Sequence, residues 1–303
     1  MAVTPVTAAP TGTMRGARPR RARTFVVAVT ALALALLTAC TNEPDPTESP
    51  SPTESPSPSP TPSPGENGGE PVAVYYTVDT RAGIRLAKEL RDLSGDDLVV
   101  AAVEAMVSEP LDPDYSTTWN ADTEVLGVEQ SDGTITVDLS EDARTANAGS
   151  EAAATMIQQL VYTATEAAGD VEATVELLIE GEAAGELWGA VEWSEPVGRE
   201  DPLDVRMLVQ IDEPREGATV ESPVLVTGDA AAFEANVPWR VLDEAGEEVE
   251  VGFTMTTEGQ TFAPFEFEVE LEPGTYTIEI SEDDPSGGEG GTPMTDTKTV
   301  TVS

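Results

Sequence analysis

Hydrophobic and polar positions divide this 303-residue chain into four stretches of different period. Residues 25–39 are an apolar run with Thr30 and Thr38 as its polar members, and residues 41–70 carry almost no apolar side chains. Beyond them, periods of two and of 3.6 alternate as far as residue 197; after residue 203 only the period of two remains.

In the third stretch, residues 72–78 are rich in β-branched and aromatic side chains and predict a strand. Residues 97–109 predict a helix with Val99, Val103 and Met106 on one face, capped by Asp96 or Asp97 and stopped by Pro110. Residues 124–128 and 134–139 alternate and flank Asp132-Gly133, a hairpin signal. Ser150 is the expected cap of a second helix running to about residue 168. Its stripe of Met156, Ile157, Leu160, Val161 and Ala164 predicts a core face, and Gly169 a left-handed stop. Residues 171–179 predict a strand that points Val175, Leu177 and Ile179 one way. The order strand, helix, strand, strand, helix, strand predicts an α+β sandwich over residues 71–197, with both helices on one face of a small sheet.

After a polar joint at residues 199–202, seven short strands are predicted: 205–211, 224–227, 237–242, 249–255, 265–271, 276–280 and 298–302. Pro214 with Gly217, Ala245-Gly246, Glu258-Gly259 and Pro273-Gly274 supply turns between them. The pattern predicts an all-β antiparallel sandwich over residues 203–303 with Trp239, Phe253, Phe267 and Tyr276 in its core. Phe233 and Trp239 are candidate surface anchors, although burial is the expected fate of both. Residues 283–291 are an acidic, glycine-rich insert, read as a hairpin loop or as a partner-binding loop.

The apolar run of residues 25–39 changes meaning because of what surrounds it. Five arginines and no acid precede it, and Leu37-Thr38-Ala39-Cys40 closes it. Fifteen residues suit a signal sequence, whereas a spanning helix needs about 20. The arrangement resembles a bacterial lipoprotein signal over residues 1–39, cut between Ala39 and Cys40, with Cys40 carrying a diacylglyceryl group. The other reading is a free cysteine after a transmembrane anchor. Two acyl chains hold a protein stably at a bilayer where one does not. Residues 40–70 then form the lipidated cysteine and a stalk in which Thr-Glu-Ser-Pro-Ser-Pro occurs at 47–52 and again at 53–58. Proline of this density predicts an extended disordered stalk of roughly 90 Å. The expected location is the extracytoplasmic face of the cell membrane, reaching into the wall.

Charge and composition exclude several functions. All 57 acids follow Cys40 and five of the fifteen bases precede it, which leaves ten bases and a formal charge of −47. Such a surface repels nucleic acid, so no nucleic-acid partner is expected. The acids are spread along the chain as a solvated surface would have them, and no Asp-x-Asp-x-Asp-Gly loop marks a calcium site. The chain has no histidine and no second cysteine, which removes imidazole-based catalysis, imidazole zinc sites and disulfides. No metal or cofactor is expected.

Particular segments carry a family resemblance. Ser108-Glu109-Pro110 at a helix end, the strand Gly133-Thr134-Ile135-Thr136-Val137-Asp138-Leu139-Ser140, the helix segment Gln159-Leu160-Val161-Tyr162-Thr163-Ala164-Thr165-Glu166 and the following Val175-Glu176-Leu177-Leu178-Ile179-Glu180-Gly181 resemble the GerM-type sporulation and spore germination domain. The resemblance implies an envelope-associated domain, similar to ring-building motifs, with no catalytic residues to carry over. Residues 111–120 depart from it, being rich in Asp and Thr where members have Gly and Pro. Ile211, Pro214, Gly217, Val220, Ser222-Pro223-Val224, Val226, Gly228, Ala232-Phe233-Glu234 and Trp239-Arg240-Val241 resemble the immunoglobulin-like domain of bacterial spore germination proteins. Together these imply a non-enzymatic binding or assembly module whose partners are envelope proteins or peptidoglycan. The alternatives are a carboxylate-dependent peptidoglycan hydrolase, for which no catalytic motif stands out among the many acids, and a solute-binding lipoprotein.

Overall fold

The structure, a computed structural model, describes residues 69–146, 148–283, 289 and 291–303. Ala39, Cys40, the apolar run, the repeats and most of the acidic insert lie outside the described residues. Among the described residues no helix is long and apolar enough to cross a membrane.

The first domain opens with a long hairpin, β1 (Glu70–Thr80) and β2 (Gly83–Leu93), paired in register from end to end. The predicted strand is there, but its partner β2 was not foreseen. Helix α1 (Leu98–Val107) follows, then the hairpin β3 (Val125–Ser131) and β4 (Thr134–Leu139). Helix α2 (Ser150–Ala167) leads into β5 (Thr174–Ile179), which pairs parallel to β4, and β6 (Glu182–Ala183) completes a sheet of order β3-β4-β5-β6. A small ribbon, β7 (Gly185–Leu187) and β8 (Val191–Trp193), ends the domain. The expected single small sheet is therefore three separate sheets, with the helices touching both the long hairpin and the β3–β6 sheet.

Local chemistry sets the ends of these elements. Asp97 caps α1, its carboxylate accepting the backbone N–H groups of Val99 and Val100 at 2.9 and 3.2 Å. Asp132 and Gly133 both have positive φ, as a tight two-residue hairpin turn requires. Gly169, at φ +67°, ends α2 with paired bonds from Gly169 N–H to Glu166 and from Asp170 N–H to Thr165. Ser150 does not cap α2: it is the first helical residue, and Gly149 holds the cap position without a side-chain bond.

The β1–β2 hairpin is apolar on both faces because both are covered. Val72, Val74, Tyr76 and Ala87 join the main core with Met106, Met156, Leu160, Val175 and Leu177. Ala73, Tyr75 and Leu86 form a second cluster with Tyr162 of α2. The buried edge of β1 is satisfied by α2, where Gln159 Nε2 donates to the Tyr75 carbonyl (2.9 Å) and Thr163 Oγ1 accepts the Tyr75 N–H (3.1 Å).

A short helix α3 (Pro202–Val205) occupies part of the predicted strand 205–211, and the strand itself, β9, begins later at Val209–Glu213. The second domain continues with β10 (Thr219–Val220), β11 (Val224–Ala230), β12 (Asn236–Asp243), β13 (Glu248–Met255), β14 (Ala263–Val269), β15 (Gly274–Ser281) and β16 (Thr295–Val302). Sheets of order β10-β16-β15-β12-β13 and β14-β11-β9 form the sandwich. Its core is Val209, Ile211, Val224, Val226, Val237, Val241, Phe265, Ile278, Ile280 and Val300. Of the aromatic residues expected there, Trp239, Phe267 and Tyr276 sit half-buried at the margin, Trp239 stacked on Phe267 at 4.6 Å. Phe253 is 68% exposed and Phe233 is also exposed, so neither is core.

Gly228 sits at a register shift between β11 and β9, in a space with no room for a side chain. A Cβ there would lie 2.0 Å from the Gln210 carbonyl oxygen and 2.6 Å from the Phe265 ring. Gly228→Ala is expected to cost about 3 kcal/mol, the upper part of the range for forced overpacking. Urea denaturation checks this, and a variant as stable as the parent would refute the packing described.

Candidate functional site at the domain joint

The two domains meet through charged residues that are withdrawn from water. The face of the β1–β2 hairpin that carries Tyr75, Leu86, Lys88 and Asp92 turns toward the second domain. The Met207 N–H donates to the Leu86 carbonyl at 2.9 Å, and the Met207 side chain completes the core of the first domain. Residues 199–202, expected as a polar joint, are pinned to α2. Arg199 lies 4.6 Å over the Tyr162 ring and bonds to Thr165 and Glu166, while the Tyr162 hydroxyl donates to the Glu200 carbonyl at 2.7 Å. Burial pushes the Tyr162 phenol up to about 12, so it remains a donor at neutral pH.

Five ion pairs cross the joint among the described residues. Lys88 reaches Asp212 at 2.7 Å and Asp229 at 3.5 Å, Arg215 reaches Asp92 at 2.9 Å, Arg81 reaches Glu282 at 2.8 Å, and Lys298 reaches Asp112 at 2.7 Å. Arg206 closes on Asp229 through both carboxylate oxygens at 2.9 and 2.8 Å, and its guanidinium stacks on Phe262. Both contacts come from one guanidinium nitrogen, Nη2, which also donates to Gln210 at 3.3 Å.

The most buried of these groups surround Lys298. Its ammonium donates to Asp112 (2.7 Å), to the Tyr115 hydroxyl (2.8 Å) and to Asp296 (2.9 Å). Tyr115 in turn donates to Asp296 at 2.7 Å, and the second Asp296 oxygen accepts the Ile211 N–H at 2.7 Å. Asp112 and Tyr115 come from the first domain, in the loop of residues 111–120 that departs from the family pattern. Thr297 of β16 also donates to Asp114 of that loop. Glu89 holds the loop in place by accepting the N–H groups of Leu111 (2.9 Å) and Asp112 (2.8 Å).

Burial and charge act against each other here. Desolvation opposes the charge of Lys298, but Asp296 and Asp112 outweigh it and raise the pKa above the ordinary lysine value. Desolvation likewise opposes the Lys88 charge, and Asp212 and Asp229 overcome it. Complete burial raises the Asp296 pKa against the pull of Lys298. Tyr115 is pushed well up by burial and by the neighbouring Asp296 and Asp112, so its hydroxyl stays protonated.

A cavity of about 290 Å³ opens beside this network, lined by Lys88, Arg91, Asp92, Asp212, Arg215 and Glu216 among others. Its carboxylates are already engaged: Asp212 with Lys88, Asp92 with Arg215, and Glu216 with the Thr299 N–H at 2.7 Å. The arrangement fastens two domains. Burial raises the pKa of Asp212 against the pull of Lys88 and that of Glu216 against its backbone bond to Thr299. Among the described residues no three acidic side chains converge as a metal site.

Sequence reasoning missed this joint. One signal was available: Lys298 shares a face of β16 with Val300 and Val302, so a cation occupies a core position in a chain with ten cations beyond Cys40.

Comparison with known proteins agrees with this two-domain architecture. Residues 73–185 match the family model described as sporulation and spore germination, and residues 208–289 match the immunoglobulin-like domain of bacterial spore germination. The chain thus matches two germination-type domain models in succession. Neither description names a reaction. No curated protein matches the chain. Among solved structures it is similar to the tandem GerMN domains of the sporulation protein GerM from Bacillus subtilis, at 20% identity and a TM-score of 0.38 over 47% of this chain and 50% of that one. The chain thus spans about half the length of that tandem structure. The first GerMN domain of the same protein matches at 23% identity and a TM-score of 0.35, over 43% of this chain and 99% of that one. A candidate lipoprotein from Clostridium perfringens matches at 17% identity and a TM-score of 0.32, over 48% of this chain and 99% of that one.

Removing one partner of a buried ion pair leaves an uncompensated charge, which costs about 3–5 kcal/mol. Lys298→Ala, which strands Asp112 and Asp296, is expected to cost this much and to separate the unfolding of the two domains. Calorimetry checks this. A single transition at the parent temperature would show that the network does not fasten the joint.

Proposed function

We propose that this chain is a lipid-anchored cell-envelope protein that acts as a non-catalytic binding or assembly module. The observation that carries the reading is the fastening of two germination-type domains into one body by ion pairs that engage Asp92, Asp112 and Asp212 of the joint. An enzyme built on paired acids needs one of them free and raised in pKa, beside room for substrate. Of the acids lining this cavity, Asp212 and Asp92 pair across the joint with Lys88 and Arg215, and Glu216, although burial raises its pKa, is committed to the Thr299 N–H. A body held in one geometry presents fixed surfaces to a partner, which lowers the ordering cost of binding.

The anchor rests on Ala39 and Cys40. Processing would leave Cys40 at the mature N-terminus with two acyl chains, and residues 41–70 would lift the domains off the bilayer. Cys40→Ala is expected to abolish incorporation of labelled palmitate in the producing cell and to reduce membrane retention. Undiminished labelling in that variant would refute lipidation at this residue.

The partners proposed are envelope proteins or peptidoglycan. Purified protein incubated with sacculi, and separately with solubilised envelope proteins, is expected to be retained without releasing muropeptides. Release that is lost on acid-to-amide substitution would replace this reading with a wall hydrolase. Retention by neither material would remove the adaptor reading.

A further inference from the structure

Strand β13 lies at one end of the five-stranded sheet, and among the described residues no strand pairs with its outer edge. Its apolar side chains face water: Val249, Val251, Phe253 and Met255 are 43, 64, 68 and 52% exposed. The inward side is set by Gly252, which lies against the Trp239 ring so closely that a Cβ would approach to 2.4 Å. Trp239 stacks in turn on Phe267, so the space beneath β13 is filled and the apolar residues project outward. An open strand edge together with an exposed apolar face is a template for strand addition.

The rim decides what kind of segment fits. Glu247, Glu248 and Glu250 are exposed on or beside the strand, and Glu266 is exposed on β14, whose backbone carbonyl accepts the Thr254 hydroxyl at 2.8 Å. Arg240 stands opposite Val251 on the neighbouring strand and is bound to Glu279 by two contacts of 2.8 and 3.0 Å. The rim is therefore negative, and among the described residues no free cation stands beside the stripe. A second copy of this chain, itself strongly acidic, is repelled, and so is an anionic bilayer surface.

We infer that the outer edge and face of β13 form a docking site for an extended, apolar protein segment flanked by lysine or arginine, which adds as a further strand. This rests on the proposed binding role and names the surface and the partner chemistry for it. Backbone bonds along the edge would supply affinity. Val251, Phe253 and Met255 would receive the alternate side chains of the incoming strand, and the glutamates its basic flanks.

The test uses the full chain and the double variant Phe253→Glu with Met255→Glu. Both positions are exposed, so the variant is expected to melt with the parent. The probe is a peptide of valine–threonine repeats flanked by lysines, followed by fluorescence anisotropy. Binding to the parent that weakens at least about tenfold in the variant, and also weakens with added salt, supports the proposal. No binding to the parent, or equal binding to both proteins, overturns it. Binding of phosphatidylglycerol vesicles that the variant loses overturns it in favour of a membrane surface. Concentration-dependent dimerisation that the variant loses overturns it in favour of a second copy. If sacculi or envelope proteins still retain the parent while the peptide fails, only this surface is wrong. If they do not retain it either, the binding role itself falls.

Discussion

The two-domain architecture depends on the burial of one ammonium group. Along the inner side of β16, Val302 and Val300 are followed by Lys298 and Asp296, so the interior of the second domain turns from apolar to ionic within one strand. A buried charge of this kind needs hydrogen-bonding partners on every side. The second domain supplies Asp296; the first supplies Asp112 and Tyr115. Neither domain completes this network alone. Desolvation can cancel the attraction within such a network, so its larger contribution is geometric: docking must bring Asp112 and Tyr115 together onto the Lys298–Asp296 pair. The β1–β2 hairpin adds an apolar counterpart, with one face in the core of its own domain and the other turned to the joint.

Allocation of charge makes this constraint sharper. A chain with ten cations against 57 acids beyond Cys40 repels itself, and two acidic domains placed side by side repel each other. Arg81, Lys88, Arg206, Arg215 and Lys298, half of those cations, lie at the joint. The rest of the surface remains negative and solvated. Positive charge is thus concentrated where the domains would otherwise push apart. Because the pairs are partly or wholly buried, salt screens them less than it screens the surface repulsion.

Elements governed by local chemistry were legible in the sequence. A cap at Asp96 or Asp97 (Asp97 in the structure), Asp132-Gly133 as a turn, Gly169 as a helix stop and the Met156–Leu160–Ala164 stripe each depend on neighbours a few residues away. Strand β2 was not legible, because Leu86-Ala87-Lys88-Glu89-Leu90 suits a helix and becomes a strand only through pairing with β1. The departure of residues 111–120 from the family pattern was visible, but its cause was not. Asp112 and Tyr115 serve a lysine more than 180 positions away, and no local period records that distance. Trp239 was legible as a packing residue. Phe253 was not legible as an exposed one, although both lie in clean alternating strands.

The reason for that last failure is general. A period of two says that the faces of a strand differ, but not which face is inside. In β13 the choice falls to Gly252, since only a residue without a side chain fits beneath Trp239. Reversing the strand would bring Val251 and Phe253 onto that indole and turn Gly252 and Thr254 outward, which packing beneath Trp239 forbids. The sandwich therefore keeps a small residue inside and leaves its larger apolar residues outside, at a cost in hydration that nothing within the described chain offsets. Cover from another molecule would offset it. The same steric choice that closes the core margin also creates the exposed face.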